Sequence, residues 1–195
     1  NNKYDFTINC TIYPKHYNLI KDKDKNTNFY ISHRVNEIFK NMNNIFYLTP
    51  LCKNKNFIYM DILPFSKEKV KKNIPIYIIQ GKKAIHRRSF KLLEKILQNK
   101  YNYEYKIKVI GRKKLNEKFN KYIIEGKLID KTNLDFIEFH KEFCDCYAII
   151  PLILKKNQPR YYERQITSSI NYAKGYNLKC IIDKDSQDIY NLDNV

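Results

Sequence analysis

Two stretches in the second half of the chain, Ile74 to Gln80 and Tyr105 to Ile110, are near-continuous apolar runs. Each closes on a glycine, Gly81 and Gly111, and each leads into a segment with helical spacing. The first helix, Arg88 to Asn99, carries Phe90, Leu93, Ile96 and Leu97 on one side; the second gathers Leu115, Phe119, Tyr122 and Ile123. A strand that is apolar throughout needs cover on both faces, and connections of this length suit parallel rather than hairpin pairing. The alternation continues with a strand over Leu134 to His140, a helical turn over Lys141 to Cys144 and a strand over Tyr147 to Ile153. A helix over Ile166 to Lys174, a strand over Leu178 to Ile182 and a short helix over Ser186 to Tyr190 close it. With right-handed crossovers, residues 74–195 are expected to form a Rossmann-like, doubly wound parallel sheet of the α/β class.

The first part of the chain is shorter and less regular. Residues 66–73, Ser-Lys-Glu-Lys-Val-Lys-Lys-Asn, form a charged linker. Before it, Phe6 to Tyr13 alternates, placing Phe6, Ile8, Cys10 and Ile12 on one face as in a half-buried strand. Phe29 to Ser32, Ile45 to Leu48 and Phe57 to Leu63 read as further strands, Val35 to Met42 as a short helix and Lys21 to Asn28 as a polar loop. Residues 1–65 are thus a truncated N-terminal α/β segment, too short for a complete nucleotide-binding lobe.

A net charge of +17 suggests nucleic acid, but its composition suggests a blander origin. Of 37 basic residues only six are Arg, while Lys, Ile and Asn abound and Ala is scarce, the bias of an AT-rich coding sequence. Charge therefore informs only through its distribution. The five cysteines show no repeated spacing, so neither a disulfide framework nor a zinc site is indicated. No apolar run is long enough to span a membrane and no leader opens the chain, so a cytoplasmic protein is expected.

In a doubly wound sheet all carboxyl ends face one edge, where ligands bind. Cations follow each expected strand: Lys82, Lys83, His86, Arg87 and Arg88 after the first, and Arg112, Lys113 and Lys114 after the second. His140 and Lys141 follow the third, and Lys155, Lys156 and Arg160 the fourth. Five of the six Arg, at 87, 88, 112, 160 and 164, fall on or beside this edge. Arg is the better bidentate phosphate ligand, so a phosphate-bearing ligand is indicated. Thr167-Ser168-Ser169 opens the helix with a cap hydroxyl and free N–H groups. Neither a GxGxxG nor a P-loop pattern is present.

These positions resemble the C-terminal, donor-binding lobe of GT-B glycosyltransferases of the "group 1" class. There a G-R-x4-K motif follows the first strand and its cations bind the donor diphosphate; Gly81-Lys82 with Arg87 has that spacing with the cation types exchanged. Cys144-Asp145 through Ile149-Ile150-Pro151 is similar to the segment before the donor loop. Glu163 matches the first Glu of an E-x7-E motif, and Asn171 stands where the second would be. A small-residue helix ending at Gly175 and a strand follow, as in the family.

The resemblance covers about 110 to 120 residues and implies a glycosyltransferase, or its donor-binding part, using a nucleotide-diphosphate sugar and an unidentified acceptor. Donor diphosphate would be held by Lys82, Arg87, Arg112, Thr167 and Ser168, the sugar and ribose by Glu163 and Asn171, with Glu163 catalytic and neither metal nor cofactor required. His33 corresponds loosely to a cleft histidine. Asp183-Lys184-Asp185 and Asp22-Lys23-Asp24 both match the Asp-x-Asp of metal-dependent transferases, a pattern short enough to recur by chance. Two alternatives stand beside this reading: a non-catalytic nucleotide-sugar-binding module, and a basic nucleic-acid-binding protein. For the latter Tyr101, Tyr103 and Tyr105 could stack bases, although alternating tyrosines entering a strand are more often packing.

Overall fold

The computed structural model describes residues 7–52, 62, 64 and 69–190. The chain divides into two units, Asn1–Met60 with Arg160–Ile166, and Asp61–Pro159 with Thr167–Val195. Both are α/β with parallel sheets, of three and five strands. Among the described residues no helix is long and apolar enough to cross a membrane.

The first unit holds β1 (Thr7–Asn9), β2 (Asn28–Ser32) and β3 (Ile45–Tyr47), parallel and in that order. Tyr30, Phe39, Ile45 and Tyr47 form its centre, with Ile12, Ile20, Met42 and Cys52 around them. Phe6 lies outside the described residues, and the rest of the half-buried strand expected at Phe6 to Tyr13 is not seen in that form: Ile8 is 55% exposed, Cys10 is exposed, and of the described members of that face only Ile12 packs inward. Strict alternation gives a face, but at an edge strand nothing need cover it. The expected helix at Val35 to Met42 shrinks to a 3-10 turn, Glu37–Phe39, begun by the Asn36 side chain accepting the Ile38 N–H at 3.1 Å. A short helix, α1 (Tyr17–Ile20), joins β1 to β2. Apart from Ile62, the strand expected at Phe57 to Leu63 lies outside the described residues or in Leu63, also undescribed. Helix α5 (Arg160–Glu163) belongs to this unit: Gln165 bridges Arg34, and the Val35 N–H donates to Arg164 O at 2.9 Å.

The second unit is a five-stranded parallel sheet of order β6-β5-β4-β7-β8. Its strands are β4 (Ile76–Gln80), β5 (Lys106–Gly111), β6 (Leu128–Thr132), β7 (Ala148–Ile149) and β8 (Lys179–Cys180). The order reverses at β4, so β5 and β6 grow to one side and β7 and β8 to the other, as the Rossmann-like expectation requires. Helix α2 (Phe90–Gln98) inserts Leu93 and Leu97 against Ile79, Ile107 and Val109, joined by Phe119, Tyr122 and Leu128 from the segment around α3 (Asn120–Ile124) and from β6. Between α4 (Phe136–Lys141) and α6 (Ser168–Gly175) lies an aromatic cluster in which Phe143 stacks on both Tyr172 and Tyr176, each at 4.9 Å. Helix α7 (Lys184–Tyr190) ends the described chain.

One expected strand is misplaced. Leu134 to His140 leads into and forms most of α4, with Asp135 as its N-cap, and the third strand of this unit is Leu128–Thr132, paired to β5 over its whole length. Asp135 and Glu138 make a capping box: Asp135 Oδ1 accepts the Glu138 N–H at 2.7 Å and Glu138 Oε2 accepts the Asp135 N–H at 3.1 Å. These bonds satisfy donors that a starting helix leaves open and outweigh the apolar alternation. The strand expected at Tyr147 to Ile153 is cut to two residues, with Leu152 turning to a positive φ of 51°.

Candidate anion site at the carboxyl edge

Ligands in such sheets sit outside the carboxyl ends of the strands where the order reverses, here at β4 and β7. A knot of buried polar side chains occupies that place: Gln80, Arg88, Ser89, Thr167 and Ser169. Gln80 Nε2 donates to Ser168 Oγ at 2.9 Å. Arg88 Nη2 donates to Gln80 O at 2.8 Å and to Ser169 Oγ at 3.4 Å, and Nη1 donates to Arg87 O at 2.9 Å. The Ser89 N–H donates to Leu152 O at 2.7 Å, while Ser89 Oγ is buried with no hydrogen-bond partner. Gly81, at φ 114°, lets the guanidinium lie close, since a Cβ there would stand 2.8 Å from Arg88 Nη2.

Beside the knot is an open pocket of about 650 Å³, lined from the ends of β4, β5 and β6 by Gly81–Ala84, Gly111–Lys113, Asn133, Leu134 and Phe139. The two glycine turns meet here. A Cβ on Gly111 would stand 2.4 Å from Gly81 O, so this approach requires the absence of a side chain. Lys83 is engaged: it forms an ion pair with Asp130 and donates to Lys131 O at 3.0 Å. Burial pushes the Lys83 ammonium below its ordinary value, with Asp130 opposing that shift. The second oxygen of Asp130 accepts the Leu115 N–H at 2.8 Å. Lys82, Arg112 and Lys113 are left exposed around the mouth, while Leu134 and Phe139 supply a half-buried apolar wall.

The expected site residues are therefore divided. Lys82 and Arg112 share the pocket, whereas Arg87, in the turn before Arg88, is half-buried and does not line it. Thr167 is the buried N-cap of α6, its hydroxyl accepting the Ser169 N–H at 3.4 Å. Ser168 is exposed and held by Gln80. Asn171 lies one turn further on, its Oδ1 buried without a partner. Glu163 is the exposed last residue of α5, and it, Arg160 and Arg164 belong to the three-stranded unit rather than to the unit that carries the pocket. His140 and Lys141 do not follow a strand, because the segment carrying them is α4; His140 is buried and shares a hydrogen bond with the Tyr176 hydroxyl.

The remaining candidates have local roles. His33 bonds to Thr11 Oγ1 at 3.2 Å. Asp183 Oδ1 accepts the Ser186 N–H at 2.8 Å, and Asp185 pairs with Lys155 at 2.8 Å. Asp24 accepts the Asn26 N–H at 3.0 Å and the Thr27 hydroxyl at 2.7 Å, which together hold its carboxyl below its ordinary value. Among the described residues no three His, Cys, Asp or Glu side chains converge to hold a metal ion. Sequence reasoning missed Asp130 and the wall of Leu134 and Phe139. The capping box Asp135-x-x-Glu138 was the signal that would have moved the helix and exposed them. Neither the models of known protein families nor the curated proteins show a match to this chain.

Proposed function

We propose that the five-stranded unit binds a nucleotide-diphosphate sugar at its carboxyl edge and that the chain is a glycosyltransferase or the donor-binding part of one. The observation carrying this reading is the pocket at the ends of β4, β5 and β6, apolar on one wall and cationic at its mouth. A base can lie against Leu134 and Phe139 while phosphates meet Lys82, Arg112 and Lys113. Glycosyl transfer places growing negative charge on the leaving diphosphate, and exposed cations fixed at strand ends stabilise that charge.

The test is a thermal unfolding series with UDP, GDP and their sugars. Binding to the native state raises the melting temperature, and Lys82→Ala with Arg112→Ala abolishes the rise. If no nucleotide shifts the transition of the unaltered protein, the reading fails. A second reading, a nucleotide-sugar-binding module without transfer, is favoured by Asn171, whose Oδ1 is buried where the family has a ribose-binding carboxylate. It predicts the same thermal shift without release of nucleoside diphosphate over a panel of acceptors.

A further inference from the structure

The opposite edge of the same sheet carries a continuous row of tyrosines. Tyr77 lies near the start of β4, Tyr147 immediately before β7 and Tyr105 immediately before β5; Tyr101 and Tyr103 stand in the loop leading to β5. Because the strands are parallel, all five gather at the amino-terminal edge, a strand length of about 15 Å from the pocket described above. Their rings run in sequence: Tyr147 to Tyr77 at 6.0 Å, Tyr77 to Tyr105 at 6.4 Å, and Tyr105 to Tyr101 and Tyr103 at 5.3 and 6.1 Å. Tyr105 is half-buried against the core, as packing would require. Tyr77 is half-buried against the same core, but packing does not account for the remaining three, since Tyr101 is 42%, Tyr103 51% and Tyr147 49% exposed.

Two open clefts flank the row, of about 780 and 550 Å³, and meet at Ile74. Their linings hold eight lysines against three carboxylates. Glu125 is paired with Lys127, one of the eight, and Asp145 is engaged by Lys108 from outside the linings, which leaves seven lysines against Glu104. Lys179 lies over the Tyr147 ring at 5.1 Å. Burial pushes the Tyr77 phenol up to about 12, so that ring adds no anion near neutrality. Exposed rings in a row with surplus ammonium groups alongside match a ligand of planar bases on an anionic backbone. A neutral glycan would use the rings but not the lysines, and a duplex hides its base faces.

We infer that this tyrosine row is a binding surface for single-stranded nucleic acid, separate from the carboxyl-edge pocket and independent of what that pocket holds. Bases stack on Tyr101, Tyr103 and Tyr147 while lysines of the two clefts track the phosphates. The full chain is titrated with a fluorescent oligothymidylate of about 16 nucleotides and with a duplex of the same length. The single strand binds at least about tenfold tighter than the duplex, and its affinity falls steeply between about 50 and about 200 mM salt. Tyr101→Ala with Tyr103→Ala weakens binding about tenfold or more in protein that still unfolds in one cooperative transition, whereas the Phe pair, which keeps the rings and their contacts with Tyr105, retains it. Lys82→Ala with Arg112→Ala, at the opposite edge, leaves it unaltered. Absence of binding at low salt, equal affinity for duplex, an ineffective alanine pair, or loss of binding on the Lys82 and Arg112 changes would each overturn the inference.

Discussion

The guanidinium of Arg88 holds the main-chain carbonyl of Gln80 with two donors, Nη2 at 2.8 Å and Nε at 3.3 Å. The last carbonyl of the central strand is thus anchored by a side chain eight residues further on. Arg88→Ala removes these bonds from a buried site and is expected to lower unfolding stability by about 2–3 kcal/mol, read from urea titration. Arg88→Lys recovers little of it, because an ammonium cannot present the same planar fork. A variant as stable as the parent would show that the contact is incidental.

Gly111→Ala is expected to destabilise by about 1–3 kcal/mol, because its Cβ would press on the Gly81 carbonyl rather than on a side chain that can swing away. The same change narrows the pocket, so nucleotide-induced thermal shifts shrink along with stability. Retention of both would mean that the glycine turns separate easily.

Lys108 sits buried in β5 between two partly exposed carboxylates, Glu142 Oε2 at 2.9 Å and Asp145 Oδ1 at 2.6 Å. Lys108→Ala leaves Asp145 without its cation and Glu142 with only the longer contact to Lys131 Nζ at 3.6 Å, and is expected to reduce stability by about 3 kcal/mol in chemical denaturation. Asp145→Asn does less, because Glu142 still faces the ammonium.

Burial holds the His140 imidazole below its ordinary value of about 6.5. Between its folded and unfolded values the unfolded chain binds more protons. Its contribution to stability is complete above about pH 6.5 and is lost as the pH falls through the folded value. His33 is displaced the same way, by burial and then by Arg34. His140→Gln should flatten the decline in unfolding temperature between about pH 7 and about pH 5, and His33→Asn should flatten it further. An identical slope in both variants would assign the acid sensitivity elsewhere.

What could be read from the residues follows from which forces leave a pattern. The runs at Ile76–Gln80 and Lys106–Gly111 and the stripe of α2 are apolar enough that one face or two can be counted directly. Leu128–Thr132 was invisible because its inward Asp130 is polar, and it is polar because it neutralises Lys83, which follows a different strand. Two charges that cancel only in three dimensions look like two surface residues in one. The pocket was half legible for the same reason. Lys82 and Arg112 lie beside glycine turns that mark strand ends, whereas Leu134 and Phe139 depend on a helix that periodicity alone reads as a strand.

The knot of Gln80, Arg88 and Ser169 draws on residues separated by as many as 89 positions. It cannot assemble while only β4, β5 and β6 have paired; the segment carrying α6 must also be in place. Until then a guanidinium is carried into an apolar setting without all of its acceptors, which penalises a half-built sheet. The five strands should accordingly unfold in a single cooperative transition, with amide exchange in β4 and β7 governed by the same global opening.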